Sequence, residues 1–285
     1  MQPLDAPVVI GHRGAPGHLP EHSADGYRLA AAMGADRFET DVVMSRDGAL
    51  VVRHECELSR TTDVAHRPEF ADRRTTKRIG TVRNTGWFVE DFTLAELRTL
   101  GAPTADTPIM TLDELLLLIA DESKLHGRRI GLHLEVKHPT YFSSLGLPMT
   151  DPVLRTLRDH GLDRGGSGVW LQSFDDRFMR ELRPLTAVAL LQLVGEGGNP
   201  PDVHEIAEYA DAIGPHRRLV RPHDGPPTTL VEEARQAGIG VYPWTLRRGA
   251  KQARHFFEAG VDGVFTDYPD RAVAARRELR MPEIA

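Results

Sequence analysis

Arg129-Ile130-Gly131-Leu132-His133-Leu134-Glu135-Val136-Lys137 is the stretch on which the fold turns. His133, Glu135 and Lys137 fall on one face and apolar residues on the other, the two-residue period of a strand. Downstream of it the same alternation repeats. Helical periodicity at 151–160 is followed by a strand at 169–173, a helix at 175–183 and a strand at 188–194. A helix at 202–209, a short strand at 212–214 and a helix at 228–237 come next. A strand at 240–245, a helix at 250–259, a strand at 263–266 and a last helix at 270–279 complete the series.

Upstream, Val8-Val9-Ile10 reads as a strand that opens at Gly11. Ser23 caps a helix at 24–34, whose apolar stripe is Tyr27, Leu29, Ala30 and Met33. A strand at 37–44 ends in the Asp47-Gly48 turn, and 50–52 returns from it as a hairpin arm. Residues 58–90 show no clear period and read as a loop excursion over one face. Capping boxes at Thr93–Glu96 and Thr111–Glu114 each start a helix, the second reaching about His126.

Strands alternating with helices imply a parallel sheet. Eight β/α units in about 250 residues suit a closed (β/α)₈ barrel. The alternative is an open doubly wound sheet. That fold announces a glycine-rich dinucleotide loop after its first strand, and Gly11-His12-Arg13-Gly14 does not match it. The expectation is one domain over residues 1–285, with an insertion at about 55–92 after the second strand. The stretch 195–201 reads as a loop within it, not a linker.

The chain has 285 residues, 40% hydrophobic and 27% charged, with net charge −6. That balance gives no basic field to attract nucleic acid. Only Lys77, Lys124, Lys137 and Lys251 are lysines, so Lys137 is a scarce residue in a strand-end position. Cys56 is the one cysteine, which excludes an intrachain disulfide. It reads as a small loop thiol. No apolar run is long enough for a bilayer span, so stable membrane insertion is not expected. Residues 1–7 carry no signal-peptide pattern, which fits a cytoplasmic protein or a mature secreted or periplasmic form without its leader.

In a barrel, the chemistry collects where strands end. Polar residues fall there strand after strand: His12 and Arg13, Glu39 and Asp41, Glu135 and Lys137, Gln172 and Ser173, Gln192, His216, Trp244 and Thr245, Thr266 and Asp267. Glu39 and Asp41 share a face, and adjacent inward carboxylates need a cation, a shared proton or water. With Glu135 they suit an oxygen-loving divalent ion, Mg²⁺ or Ca²⁺, better than zinc. An arginine-compensated acidic network is the alternative. His12 and His54 bracket the carboxylates and suit a general acid/base pair, against the alternative of structural histidines. Arg13 and Lys137 suit a phosphate diester or salt bridges to the same carboxylates.

The motifs His12-Arg13-Gly14, Pro20-Glu21-His22-Ser23, Glu39-x-Asp41, Asp47-Gly48, His54, Leu58-x-Arg60-Thr61-Thr62, Glu135-x-Lys137, Ser173-Phe174, Trp244-Thr245 and Thr266-Asp267-x-Pro269 occur in order. In this the chain resembles the glycerophosphodiester phosphodiesterase family, in its bacterial, periplasmic-type branch. The resemblance implies a barrel with a small insertion after its second strand. It implies one divalent ion on Glu39, Asp41 and Glu135, with His12 and His54 as acid and base. Arg13 and Lys137 would contact phosphate, Gln172 and Trp244 would line the substrate, and Asp267 and Glu55 are further site candidates. The implied substrate is a small glycerophosphodiester, such as glycerophosphocholine or glycerophosphoethanolamine, giving sn-glycerol 3-phosphate and an alcohol. The implied assembly is a monomer or homodimer. The alternative activity is a lysophospholipase D or another phosphodiesterase of the same fold. An exposed apolar rim around Trp87-Phe88 and Phe92 would favour lipid. One departure stands out: Glu55 follows His54 where the family usually carries aspartate.

Overall fold

The computed structural model describes residues 6–101, 108–197, 201–222 and 225–279. Within the loop expected at 195–201, residues 198–200 lie outside the described residues, as do the first five residues of the chain.

Eight parallel strands form the barrel: β1 Val8–Gly11, β2 Arg37–Met44, β3 Gly131–Val136, β4 Val169–Ser173, β5 Ala189–Val194, β6 Ala212–Pro215, β7 Gly240–Val241 and β8 Gly263–Thr266. Their order is β7-β6-β5-β4-β3-β2-β1-β8. The expected strand at 240–245 is regular only over two residues, because Pro243 has no N–H to give the ladder. The chain still runs extended there: Tyr242 and Trp244 donate to Ile213 and Pro215 of β6. On the other side, Phe265 donates to Pro243 and Leu246 donates to Phe265, which draws the sheet nearly closed.

Two apolar layers follow from the period of the strands. A small cluster of Val8, Ile10, Trp170, Leu191, Leu193, Ala212, Tyr242 and Phe265 fills the barrel interior. The larger cluster lies between the sheet and the helices, with Val9, Phe38, Val42, Leu132, Leu134 and Leu171 on the outward face of the strands. His133 sits in the interior layer, stacked on Trp170 at 5.6 Å. Burial and the nearby Arg37 hold its imidazole well below its usual pKa, and Arg37 lies 3.0 Å from its Nε2.

The capping residues are placed as the sequence predicts. Ser23 accepts from Gly26 at the start of helix Ala24–Ala32, and both capping boxes form, at Leu94–Leu97 and Leu112–Leu125. Leu50–Val52 pairs antiparallel with β2.

Residues 58–90 are more ordered than their sequence suggests. Two 3₁₀ turns, Val64–His66 and Pro68–Arg73, lead into an antiparallel hairpin, Thr75–Ile79 with Val82–Gly86. Most hairpin side chains are exposed on both faces. No apolar alternation therefore marks it in the sequence. Lys77 anchors the hairpin to Glu90 at 3.0 Å and Asp91 at 2.7 Å, and Tyr141 from the helix after β3 bonds the same Glu90. Trp87, Phe88 and Phe92 are buried here, so they form no apolar rim.

Candidate active site

The first strand exit is built on backbone geometry. A Cβ on Gly11 would sit 2.5 Å from the Gly14 carbonyl oxygen, and one on Gly14, at φ +92°, would meet the Gly26 backbone. Glycine at both positions lets the turn fold back on the helix. Arg13, His22 and His138 are the non-glycine residues with left-handed backbone among the described residues. All three flank the barrel mouth, where such conformations are held by surrounding contacts.

Parallel register sets the acidic cluster. Asp41 of β2 is the direct partner of Glu135 of β3, and Glu39 of His133. Glu39, Asp41 and Glu135 are buried, and one carboxylate oxygen from each lies within 4.8 Å of the others. The Arg13 amide donates to Glu39 at 2.9 Å, and Arg13 Nε lies 3.2 Å from Asp41. Lys137 Nζ lies 2.7 Å from Glu135 and 3.7 Å from Asp41. Both cations therefore pair with the cluster; Arg13 also lines a cavity with Glu39 and Glu135, whereas Lys137 lines an adjoining one with Glu135 and Phe174.

The three carboxyls differ in acidity. Burial and the neighbouring Asp41 push Glu39 well above the usual carboxylate range. Burial drives Glu135 up to about 7, against the pull of Lys137. Burial also works against Asp41, but Lys137 and then His22 overcome it and hold Asp41 well below the usual range. Three acids crowded with two cations leave Asp41 Oδ1 buried and without a hydrogen-bond partner among the described residues. An all-oxygen donor set with an orphaned carboxylate oxygen fits a hard divalent cation.

Two histidines face the same cavity, each backed by a carboxylate at Nδ1. His12 Nδ1 lies 2.7 Å from Asp267, whose other oxygen accepts from Arg247 Nε at 3.0 Å. Burial lowers the His12 pKa, and the Asp267 contact opposes that. Burial would raise Asp267, but His12 and Arg247 outweigh it and hold the carboxylate low. His54 Nδ1 lies 2.6 Å from Glu55, and this bond holds Glu55 at about 2. The longer side chain thus reaches the imidazole from its own position. Glu55 belongs to no metal-ligating group among the described residues.

The cavity measures about 290 Å³ and is lined by His12, Arg13, Glu39, His54, Glu135, Gln172, Phe174, Trp244 and Arg247, among others. Trp244 is fixed by its indole N–H donating to Gly214 at 2.7 Å and by an edge contact with Phe174 at 5.4 Å. Gln172 faces His133 at 3.2 Å. Gln192, another polar strand-end residue, turns elsewhere: it donates to the Ser173 and Leu193 carbonyls and accepts from Tyr209.

Sequence reasoning did not single out His22, Phe174 or Arg247. His22 is buried with Nε2 3.1 Å from Asp41 and Nδ1 2.9 Å from Tyr27. Its motif, Pro-Glu-His-Ser, was the available signal. Phe174 follows Ser173 in another motif. Arg247 has no sequence signal, because it reaches Asp267 only across the barrel closure. Cys56 is buried, and burial pushes its thiol well up, as suits an inert side chain.

A carboxylate triad and two carboxylate-backed histidines thus share the C-terminal mouth of an eight-stranded barrel, where enzymes of this architecture carry their active sites. The model of the glycerophosphoryl diester phosphodiesterase family matches residues 12–271. The chain is 30% identical to a glycerophosphodiester phosphodiesterase of Arabidopsis thaliana, over 97% of this chain and 87% of that one. It is 28% identical to one of Haemophilus influenzae, over 93% and 88%. The crystal structure of a putative glycerophosphoryl diester phosphodiesterase from Silicibacter pomeroyi superposes with TM-score 0.75 at 25% identity, covering 97% of this chain and 95% of that one. A phosphodiesterase of Oleispira antarctica, solved with the product sn-glycerol-3-phosphate, superposes with TM-score 0.72 at 25% identity, over 95% and 96%. The chain belongs to the glycerophosphoryl diester phosphodiesterase family.

Proposed function

We propose that the chain, acting as a single barrel unit over its whole length, hydrolyses glycerophosphodiesters to sn-glycerol 3-phosphate and an alcohol. The observation that carries this is the pair of histidines, each with Nδ1 tied to a carboxylate, on one cavity beside the acidic triad. Family membership and the product seen in the Oleispira antarctica neighbour support the choice of substrate.

Glu39, Asp41 and Glu135 are the residues that hold one Mg²⁺ or Ca²⁺. When bound, that ion supplies positive charge to the phosphate and to the charge that develops on it. The chain's own groups do the rest. Asp267 and Glu55 hold His12 and His54 through Nδ1, and both rings line the cavity. One imidazole takes the proton of the attacking hydroxyl, from water or from the glycerol 2-hydroxyl, and the other gives a proton to the leaving alcohol; where the 2-hydroxyl attacks, water then opens the cyclic phosphate with the two roles exchanged. Arg13 and Lys137, fully charged, hold the phosphate oxygens. Trp244, Phe174 and Gln172 wall the cavity that takes the glycerol end. Burial of Trp87, Phe88 and Phe92 removes the feature that would have favoured a lipid substrate.

The test is release of glycerol 3-phosphate from glycerophosphocholine and glycerophosphoethanolamine, with EDTA and with Mg²⁺ or Ca²⁺ restored. Metal-dependent release is expected, and His12→Ala and His54→Ala each abolish it in a folded protein. Absence of release across headgroups under every metal condition overturns the proposal.

A further inference from the structure

A second cavity, also about 290 Å³, shares one lining residue with the first, His54. Its wall includes Glu21, Arg53, Glu55, Arg60 and Met110.

Arg53 is the anomaly. It is 8% exposed, and its hydrogen bond goes to a neutral acceptor, the Thr61 hydroxyl. Its Nε is buried without a partner, and no carboxylate among the described residues lies within ion-pair distance. The neighbouring acids are engaged elsewhere. Glu21 pairs with Arg13 and Glu55 with His54. Glu57 accepts from the Ser59 hydroxyl and the Ser59 and Trp87 amides. Burial pushes the Arg53 guanidinium down to about 10, against the pull of Glu21 and Glu55. Many arginines of this chain pair with a carboxylate, among them Arg73 with Glu96, Arg98 with Glu114 and Arg276 with Asp36; Arg128 is held by the Ala31 and Ala35 carbonyls. Burying a charge with no counter-ion among the described residues is unfavourable, and an apolar residue would pack this position without that penalty. Arg60, exposed on the same wall, has no hydrogen bond or ion pair among the described residues.

We propose that the second cavity takes the leaving alcohol of the diester, and that Arg53 and Arg60 bind a carboxylate carried by that alcohol. This rests on the hydrolytic function above, since it is a phosphate at His54 that places one end of the substrate in each cavity. Glu55, about half exposed on the same wall and bonded to His54 through one oxygen, would face an ammonium group on the same alcohol. A headgroup with both charges, such as serine, meets both.

Glycerophosphoserine and glycerophosphoethanolamine differ by that one carboxylate. Binding of each to metal-loaded His12→Ala protein is measured by calorimetry, beside kcat/KM of the wild type for both. A charge-assisted contact of this kind predicts binding of the serine ester about tenfold tighter, with a similar ratio in kcat/KM. Arg53→Met brings the binding ratio to within about twofold, and Arg60→Ala lowers it part of the way. Arg60→Ala, on the surface, carries the test if Arg53→Met does not fold. A ratio near one in the parent, or a ratio unchanged in folded arginine variants, overturns the proposal. Selective binding without turnover by the wild type refutes the hydrolytic function and leaves this site standing. Turnover of both esters without selective binding does the reverse.

Discussion

Replacing Glu55 with Gln removes the charge that His54 Nδ1 faces while keeping the length that lets the side chain reach it. The bond is 2.6 Å and lowers Glu55 from 4.5 to about 2. That shift corresponds to about 3 kcal/mol between its two protonation states. Half the Glu55 side chain is exposed, and solvent screening reduces the net coupling to about 1–2 kcal/mol. Glu55→Gln is therefore expected to lower kcat roughly tenfold. Glu55→Asp, which restores the charge on a shorter arm, recovers part of the loss. The assay is glycerol 3-phosphate release at saturating substrate, repeated over a titration of the metal. If Glu55 ligated the ion, the defect would disappear at high metal concentration. If it orients the imidazole, the defect persists there. Glu55→Gln protein with kcat within twofold of wild type at every metal concentration refutes the orienting role.

Glu135 is held up at about 7 by burial, so a cation must displace its proton below that pH. Metal affinity should therefore rise with pH through this range, with proton release in calorimetry at pH 6; a flat profile from 5.5 to 8 counts against the triad as the site. Phe174, 45% exposed, edges against Trp244 at the cavity wall. Phe174→Ala should raise KM several-fold with kcat little changed and stability within about 0.5 kcal/mol, and an unchanged KM removes Phe174 from the substrate wall. Glu90 joins the insertion hairpin to the barrel through Lys77 and Tyr141. Glu90→Gln should cost about 1–3 kcal/mol in urea unfolding, and a midpoint equal to wild type shows the anchor to be dispensable.

Local pattern alone determined the strands of the barrel, their alternation with helices, and the caps at Ser23, Thr93 and Thr111, because these depend on residues near in sequence. It also brought Glu39 and Asp41 to one face, since side chains of a strand alternate. Tertiary structure decided what depends on register and closure. Asp41 lies beside Glu135 only because β2 and β3 pair in that frame. Asp267, itself bonded by Arg247, meets His12 only because β8 returns to β1. The hairpin at 75–86 was illegible because both its faces are wet and it buries no stripe. Arg53 looked like any arginine until folding placed it on a cavity without a counter-ion among the described residues. Charge pairing over long sequence separations has no local signature, and so it was the fold that distinguished a paired arginine from an unpaired one.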